Sequence, residues 1–139
     1  MKILIINGAN LNLLGTREPD IYGSTSMDDV LTHLQSYYSQ HTIEYFLSTL
    51  EGEMIGKIQE NEFAALVINP GAFTHYSYAI ADALKNLRKP KIEVHISNIY
   101  QREEFRQKSV TAAYTDAVLS GFGTEGYRLA IIHLISTIQ

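Results

Sequence analysis

Short apolar runs alternate with stretches of 3.6-residue periodicity along this whole chain, and that alternation constrains its fold more than any other feature. Five runs read as strands: Lys2 to Ile6, Thr42 to Ser48, Ala64 to Asn69, Lys91 to Ser97 and Ala117 to Gly121, the last with the weakest pattern. Between them lie helical patterns. One carries Val30, Leu31, Leu34, Tyr37 and Tyr38 and is entered at Ser26, with Asp29 three residues on, the spacing of a capping box with Asp in place of Glu. Others are Met54 to Glu60, the stretch holding Ile80, Ala83, Leu84 and Leu87, and a closing helix with Tyr127, Ala130, Ile131, Leu134 and Ile138. Strands joined through helices must run parallel and be covered on both faces. The expected fold is therefore α/β and flavodoxin-like, a five-stranded parallel sheet of order 2-1-3-4-5. The 139 residues suit one domain, 1–139.

In that strand order the chain reverses direction between strands 1 and 3, and ligands of open α/β sheets bind beyond the carboxyl ends of the strands at such a point. Composition narrows what the ligand can be. With no cysteine there is neither a disulfide framework nor a thiolate zinc site. The five histidines show no H-x-x-x-H pair, so no metal is expected. A net charge of -4 argues against a nucleic-acid surface. Met1 to Ile6 is too short for the apolar segment of a signal peptide, and no run approaches the roughly 20 apolar residues of a membrane span. A cytoplasmic protein with a small-molecule substrate is the expectation.

The loop after strand 1 runs seventeen residues from Asn7 to Gly23, far beyond the usual about 2–6 for such a connection. A loop of that length serves as a lid or a binding loop, here over residues 16–25, and it sets the cation Arg17 beside a potential base, Tyr22. A solvated loop with a surface tyrosine fits the same segment. It lacks the G-x-G-x-x-G of a dinucleotide site. Strand 3 ends in Asn69-Pro70-Gly71, a turn that carries an amide and, shortly after, the imidazole of His75. A structural turn with a helix cap at Thr74 or Ser77 explains it equally well. On strand 4, Ile92, Val94 and Ile96 share one face while Glu93 and His95 share the other. A doubly covered sheet should be apolar on both sides, so this polar face points to a general acid oriented by a carboxylate, or to an ion pair at a sheet edge. Arg102 and Arg106 stand at i and i+4, on one side of a helical turn, and suit an anionic ligand or a plain solvated face.

Taken together, Asn10-Leu11-Asn12, Leu14-Gly15, Arg17-Glu18-Pro19, Tyr22-Gly23, Asn69-Pro70-Gly71-Ala72, Thr74-His75, Asp82-Ala83, Glu93-Val94-His95-Ile96-Ser97-Asn98, Arg102-Glu103, Phe105-Arg106 and Ser109 resemble the type II 3-dehydroquinate dehydratases. The match extends from near residue 1 to the closing helix. Departures are Ala9 where a proline is usual and Ser26-Met27 in place of Thr-Leu. The resemblance implies a cofactor-free trans elimination of water from 3-dehydroquinate through an enolate, a step of the shikimate route. It implies Tyr22 as base assisted by Arg17, His95 as acid held by Glu93, and Asn10 positioning a water. Asn69, His75, Arg106 and the backbone at Ile96 and Ser97 would bind substrate, and Asp82 would serve a neighbouring subunit. Trimers assembled into a dodecamer are implied by resemblance alone. The rival readings are a flavin-binding or receiver module, against which stand the missing phosphate loop and the missing acidic pair after strand 1, and a noncatalytic assembly subunit.

Overall fold

The computed structural model describes residues 1–14 and 25–138. Among them five strands form one parallel sheet in the order β2-β1-β3-β4-β5, as expected. These are β1 (Lys2–Asn7), β2 (Thr42–Leu47), β3 (Ala65–Asn69), β4 (Lys91–His95) and β5 (Ala117–Ser120). Four α-helices accompany them among the described residues: α1 (Met27–Tyr37), α2 (Glu51–Glu60), α3 (Tyr78–Asn86) and α4 (Glu125–Ile138).

The central strands read as unbroken apolar runs because both their faces are covered. Ile3 and Ile5 of β1 and Val67 of β3 pack with Met27, Val30 and Leu34 of α1 and with Tyr127, Ile131 and Leu134 of α4. Leu4, Ile6, Leu66 and Ile68 point the other way, onto Met54 and Ile58 of α2 and Ile80 and Leu84 of α3. Each such side chain contributes about 1.5–3 kcal/mol when fully buried, which makes a one-residue register slip prohibitive. β5 is a short edge strand and less covered, with Val118 exposed, which accounts for its weak sequence pattern.

The helix ends follow local chemistry. Ser26 caps α1 by accepting the Asp29 N–H at 3.2 Å, and Ser77 caps α3 by accepting the Ile80 N–H at 3.0 Å. α2 begins at Glu51, three residues before the apolar periodicity shows it. Its first turn holds Glu51 and Glu53, whose charges suit a helix N-terminus, and Ser48 Oγ accepts the Leu50 N–H at 2.9 Å. α3 ends under the buried Lys91 amine, which donates to the Leu87 carbonyl at 2.6 Å.

Candidate active site

A cleft opens over the carboxyl ends of β1, β3 and β4, lined among others by Asn10, Asn69, His75, His95, Ser97 and Arg106. Its floor is set by the contact between two loops. Gly8 N donates to the Asn69 carbonyl at 2.8 Å, and a Cβ at Gly8 would fall 2.2 Å from the Pro70 carbonyl oxygen. Gly71 has φ +63°, and a Cβ there would lie 3.0 Å from the Ala9 carbonyl oxygen. Only glycine permits both the close approach and the left-handed backbone. Asn10, also left-handed at φ 70°, opens a 3-10 turn at Leu11–Leu13 and stands exposed on the cleft wall.

β4 supplies the reactive wall. Glu93 is completely buried, and His95 Nε2 lies 2.7 Å from its Oε2. Ser109 donates to the same oxygen at 2.8 Å, and Thr111, itself fully buried, donates to Oε1. Both hydroxyls spend their protons on the carboxylate, so Thr74, at 2.8 Å from Ser109 and 2.7 Å from Thr111, is the donor to one of them. Burial alone would push the Glu93 carboxyl up, but the bonds from His95, Thr111 and Ser109 hold it below the usual range. An ionised Glu93 makes Nε2 of His95 the donor and leaves Nδ1 as the ring's site for proton exchange. The pair sits on β4 between β3 and β5, in the sheet interior, and is no edge ion pair.

The rim is cationic. Arg102 Nη1 donates to Ser97 Oγ at 3.1 Å, and Arg106 Nε lies 2.8 Å from Glu103 Oε2 as an ion pair without hydrogen-bond alignment, its guanidinium over the Phe105 ring. The expected helical turn is absent here. Two 3-10 turns, Ile99–Gln101 and Glu104–Arg106, replace it, yet both arginines still line the cleft. His75 donates from Nδ1 to the Lys108 carbonyl at 2.8 Å. Burial lowers its pKa, with the charges of His95 and Arg106 adding to the effect against the Lys108 bond. It is therefore neutral at neutral pH, with Nε2 an acceptor. Ile96 and Ser97 line the cleft just past β4. Asp82 does not reach it: on α3 it is exposed, away from the cleft of its own chain. Arg17, Tyr22 and the lid at 16–25, Thr25 apart, lie outside the described residues. Among the described residues no three His, Asp or Glu side chains gather as a metal site, and no helix is long and apolar enough to cross a membrane.

A buried carboxylate holding an imidazole, a neutral histidine and two arginines around one small cleft equip it for proton transfer on an anion. The family model for class II dehydroquinase matches residues 1–135. The chain belongs to the class II dehydroquinase family. It is 49% identical to the 3-dehydroquinate dehydratase of Thermotoga petrophila over 141 aligned positions, covering 100% of this chain and 98% of the relative. It is 50% identical to that of Helicobacter hepaticus over 140, covering 97% and 89%. The type II dehydroquinase structure from Butyrivibrio crossotus superposes with a TM-score of 0.93 at 48% identity, covering 97% of each chain.

This dehydroquinase brings together on one cleft Asn10, Asn69, His75, His95, Ile96, Ser97 and Arg106, with Glu93 behind His95. Reading the sequence for chemistry gave no role to Thr74, Ser109 and Thr111, or to Tyr127, whose hydroxyl lies against Asn69. A Ser-x-Thr pair in a loop says nothing until a strand carboxylate is known to face it. An unpaired buried glutamate would have been the signal to look for such donors.

Proposed function

We propose that this dehydroquinase removes water from 3-dehydroquinate to give 3-dehydroshikimate by trans elimination through an enolate, in the shikimate pathway. The observation that supports it most is the His95–Glu93 pair: a proton donor fixed on the cleft wall by a carboxylate that cannot turn away. Tyr22 takes the proton from the carbon beside the ketone. A free tyrosine, with a pKa of about 10, is only on the order of 0.1% ionised at neutral pH. A cation about 4 Å from the phenolate supplies roughly 4 kcal/mol at an effective dielectric near 20, and Arg17 is the cation of the same loop. The enolate carries the charge on the ketone oxygen, where a water positioned by Asn10 stabilises it. The C–O bond then breaks on the opposite face, His95 protonates the departing hydroxide to water, and the electron pair of the enolate becomes the new C=C bond.

Asn69 and the neutral His75 bind substrate hydroxyls, Arg106 holds the ring, and the backbone at Ile96 and Ser97 holds the carboxylate. Asp82, exposed on α3, is the residue a neighbouring subunit would receive, in trimers assembled into a dodecamer in the cytoplasm. The chemistry calls for no cofactor. Mixing purified protein with 3-dehydroquinate and following the ultraviolet absorbance of the conjugated enone carboxylate tests the reading. A rise that persists with borohydride present supports it, and no rise, or reductive trapping of substrate on a lysine, sinks it.

A further inference from the structure

Beneath the cleft runs a chain of buried polar groups of which the proposed elimination uses only Asn69. Gly71 N–H donates to Asn69 Oδ1 at 3.1 Å, and because a backbone N–H can only donate, that bond fixes which end of the Asn69 amide is oxygen. Everything beyond it then has one direction. Asn69 Nδ2 donates to the Tyr127 hydroxyl at 3.0 Å, Tyr127 donates to Asn7 Oδ1 at 2.8 Å, and Asn7 Nδ2 donates to Tyr45 Oη at 3.3 Å. Tyr127 and Asn7 are completely buried and Asn69 nearly so. Burial also pushes the Tyr127 phenol far above its usual pKa, so it keeps its proton.

We propose that Tyr127 of α4 is a positioning residue for the cleft, its hydroxyl holding the Nδ2 end of the Asn69 amide, whose direction the Gly71 N–H sets, so that the ligand is offered an N–H donor. One Nδ2 proton of Asn69 is occupied by Tyr127, and the amide oxygen, turned toward Gly71, already accepts one hydrogen bond there. The second Nδ2 proton is the donor Asn69 has left for the cleft it lines, and a hydroxyl or carboxylate oxygen of the ligand accepts it. A helix 58 residues further along the chain thus holds a binding group whose direction the Gly71 N–H sets. The inference rests on the proposed dehydration only in taking Asn69 as a substrate contact.

The test is a double-mutant cycle of Tyr127→Phe with Asn69→Ala, read as kcat and KM for 3-dehydroquinate, with folding checked by circular dichroism and melting. In the parent background Tyr127→Phe should lower kcat/KM about three- to tenfold, mostly through KM, the loss expected when one hydrogen bond is no longer positioned. In the Asn69→Ala background the same change should cost less than about twofold, because its target is gone. Equal losses in both backgrounds, or none in either, would overturn the proposal, since a purely structural tyrosine acts alike with and without Asn69. Should the phenylalanine variant not fold, or the parent not turn over 3-dehydroquinate, the side-chain amide of Asn69 in the parent decides. Solvent exchange of the Nδ2 proton held by Tyr127 that is slowed relative to the second Nδ2 proton and to the exposed Asn61 amide supports the lock, and exchange of both protons as fast as at Asn61 refutes it. Parent turnover judges the proposed function separately.

Discussion

The two faces of β4 are one residue apart in sequence and opposite in chemistry. Ile92, Val94 and Ile96 close the core against α4, with Val94 completely buried. Lys91, Glu93 and His95 point the other way and are just as buried, yet each is polar. The apolar face needs only shape. The polar face needs a hydrogen-bond partner for each buried polar atom, and it has them: a helix-end carbonyl for Lys91, and an imidazole and two hydroxyls for Glu93. Burial by itself therefore does not distinguish core from site. What does is whether the buried group's hydrogen bonds are completed by residues distant in sequence.

The sharpest way to break the comparison is His95→Ala. We expect kcat to fall about 10²–10⁴-fold, the range for losing a general acid, with KM nearly unchanged and the circular dichroism spectrum kept. An unaltered kcat would remove His95 from the acid role. Next is Glu93→Gln, which should cost about 3 kcal/mol of stability in urea titration at neutral pH, because a carboxylate with several buried donors becomes an amide that repels some of them. It should also change the pH dependence. Folded Glu93 binds its proton less readily than an ordinary carboxylate near 4.5, so its stabilisation is complete above that pH and is lost as pH falls through the lowered folded value. Part of the parent's acid destabilisation should be missing in Glu93→Gln, and matching acid limbs for the two would contradict this.

On the opposite face, Val94→Ala should cost about 2 kcal/mol through lost burial and a cavity while kcat of the folded protein stays at the parent value, a melting and rate comparison that sharpens the contrast. The smallest effect expected is for Ser109→Ala, about 1 kcal/mol, since Glu93 Oε2 keeps its bond to His95. A loss larger than that of Glu93→Gln would mean that the bonds of Ser109 to Thr74 and to the Ala112 N–H outweigh its bond to the carboxylate.

Local patterns made the fold legible. Short apolar runs placed every strand within about two residues, 3.6-residue spacing placed the helices, and the serines before α1 and α3 marked their starts. The start of α2 was hidden because Glu51, Gly52 and Glu53 belong to its exposed or partly exposed first turn and carry no apolar signal. The site divides in the same way. Glu93 and His95 were visible as a break in an expected apolar face, but the spacing of Arg102 and Arg106 suggested a helix that tight 3-10 turns replace. Thr74, Ser109 and Thr111 meet across 35 and 37 residues of chain, and Tyr127 reaches Asn7 across 120. No window along a single sequence holds such pairs.

The contact of Gly8 with the Pro70 carbonyl has a genetic corollary. Every missense change at that codon adds a Cβ where backbone already stands, so the position admits no graded variation, whereas Gly52 and Gly56 face open space. In a saturation library selected for growth on the enzyme, codon 8 should return glycine alone while codons 52 and 56 return many residues. The loops after β1 and β3 are thereby bound to a shared history: neither can lengthen, shift or be exchanged with a relative's unless the other changes in the same step.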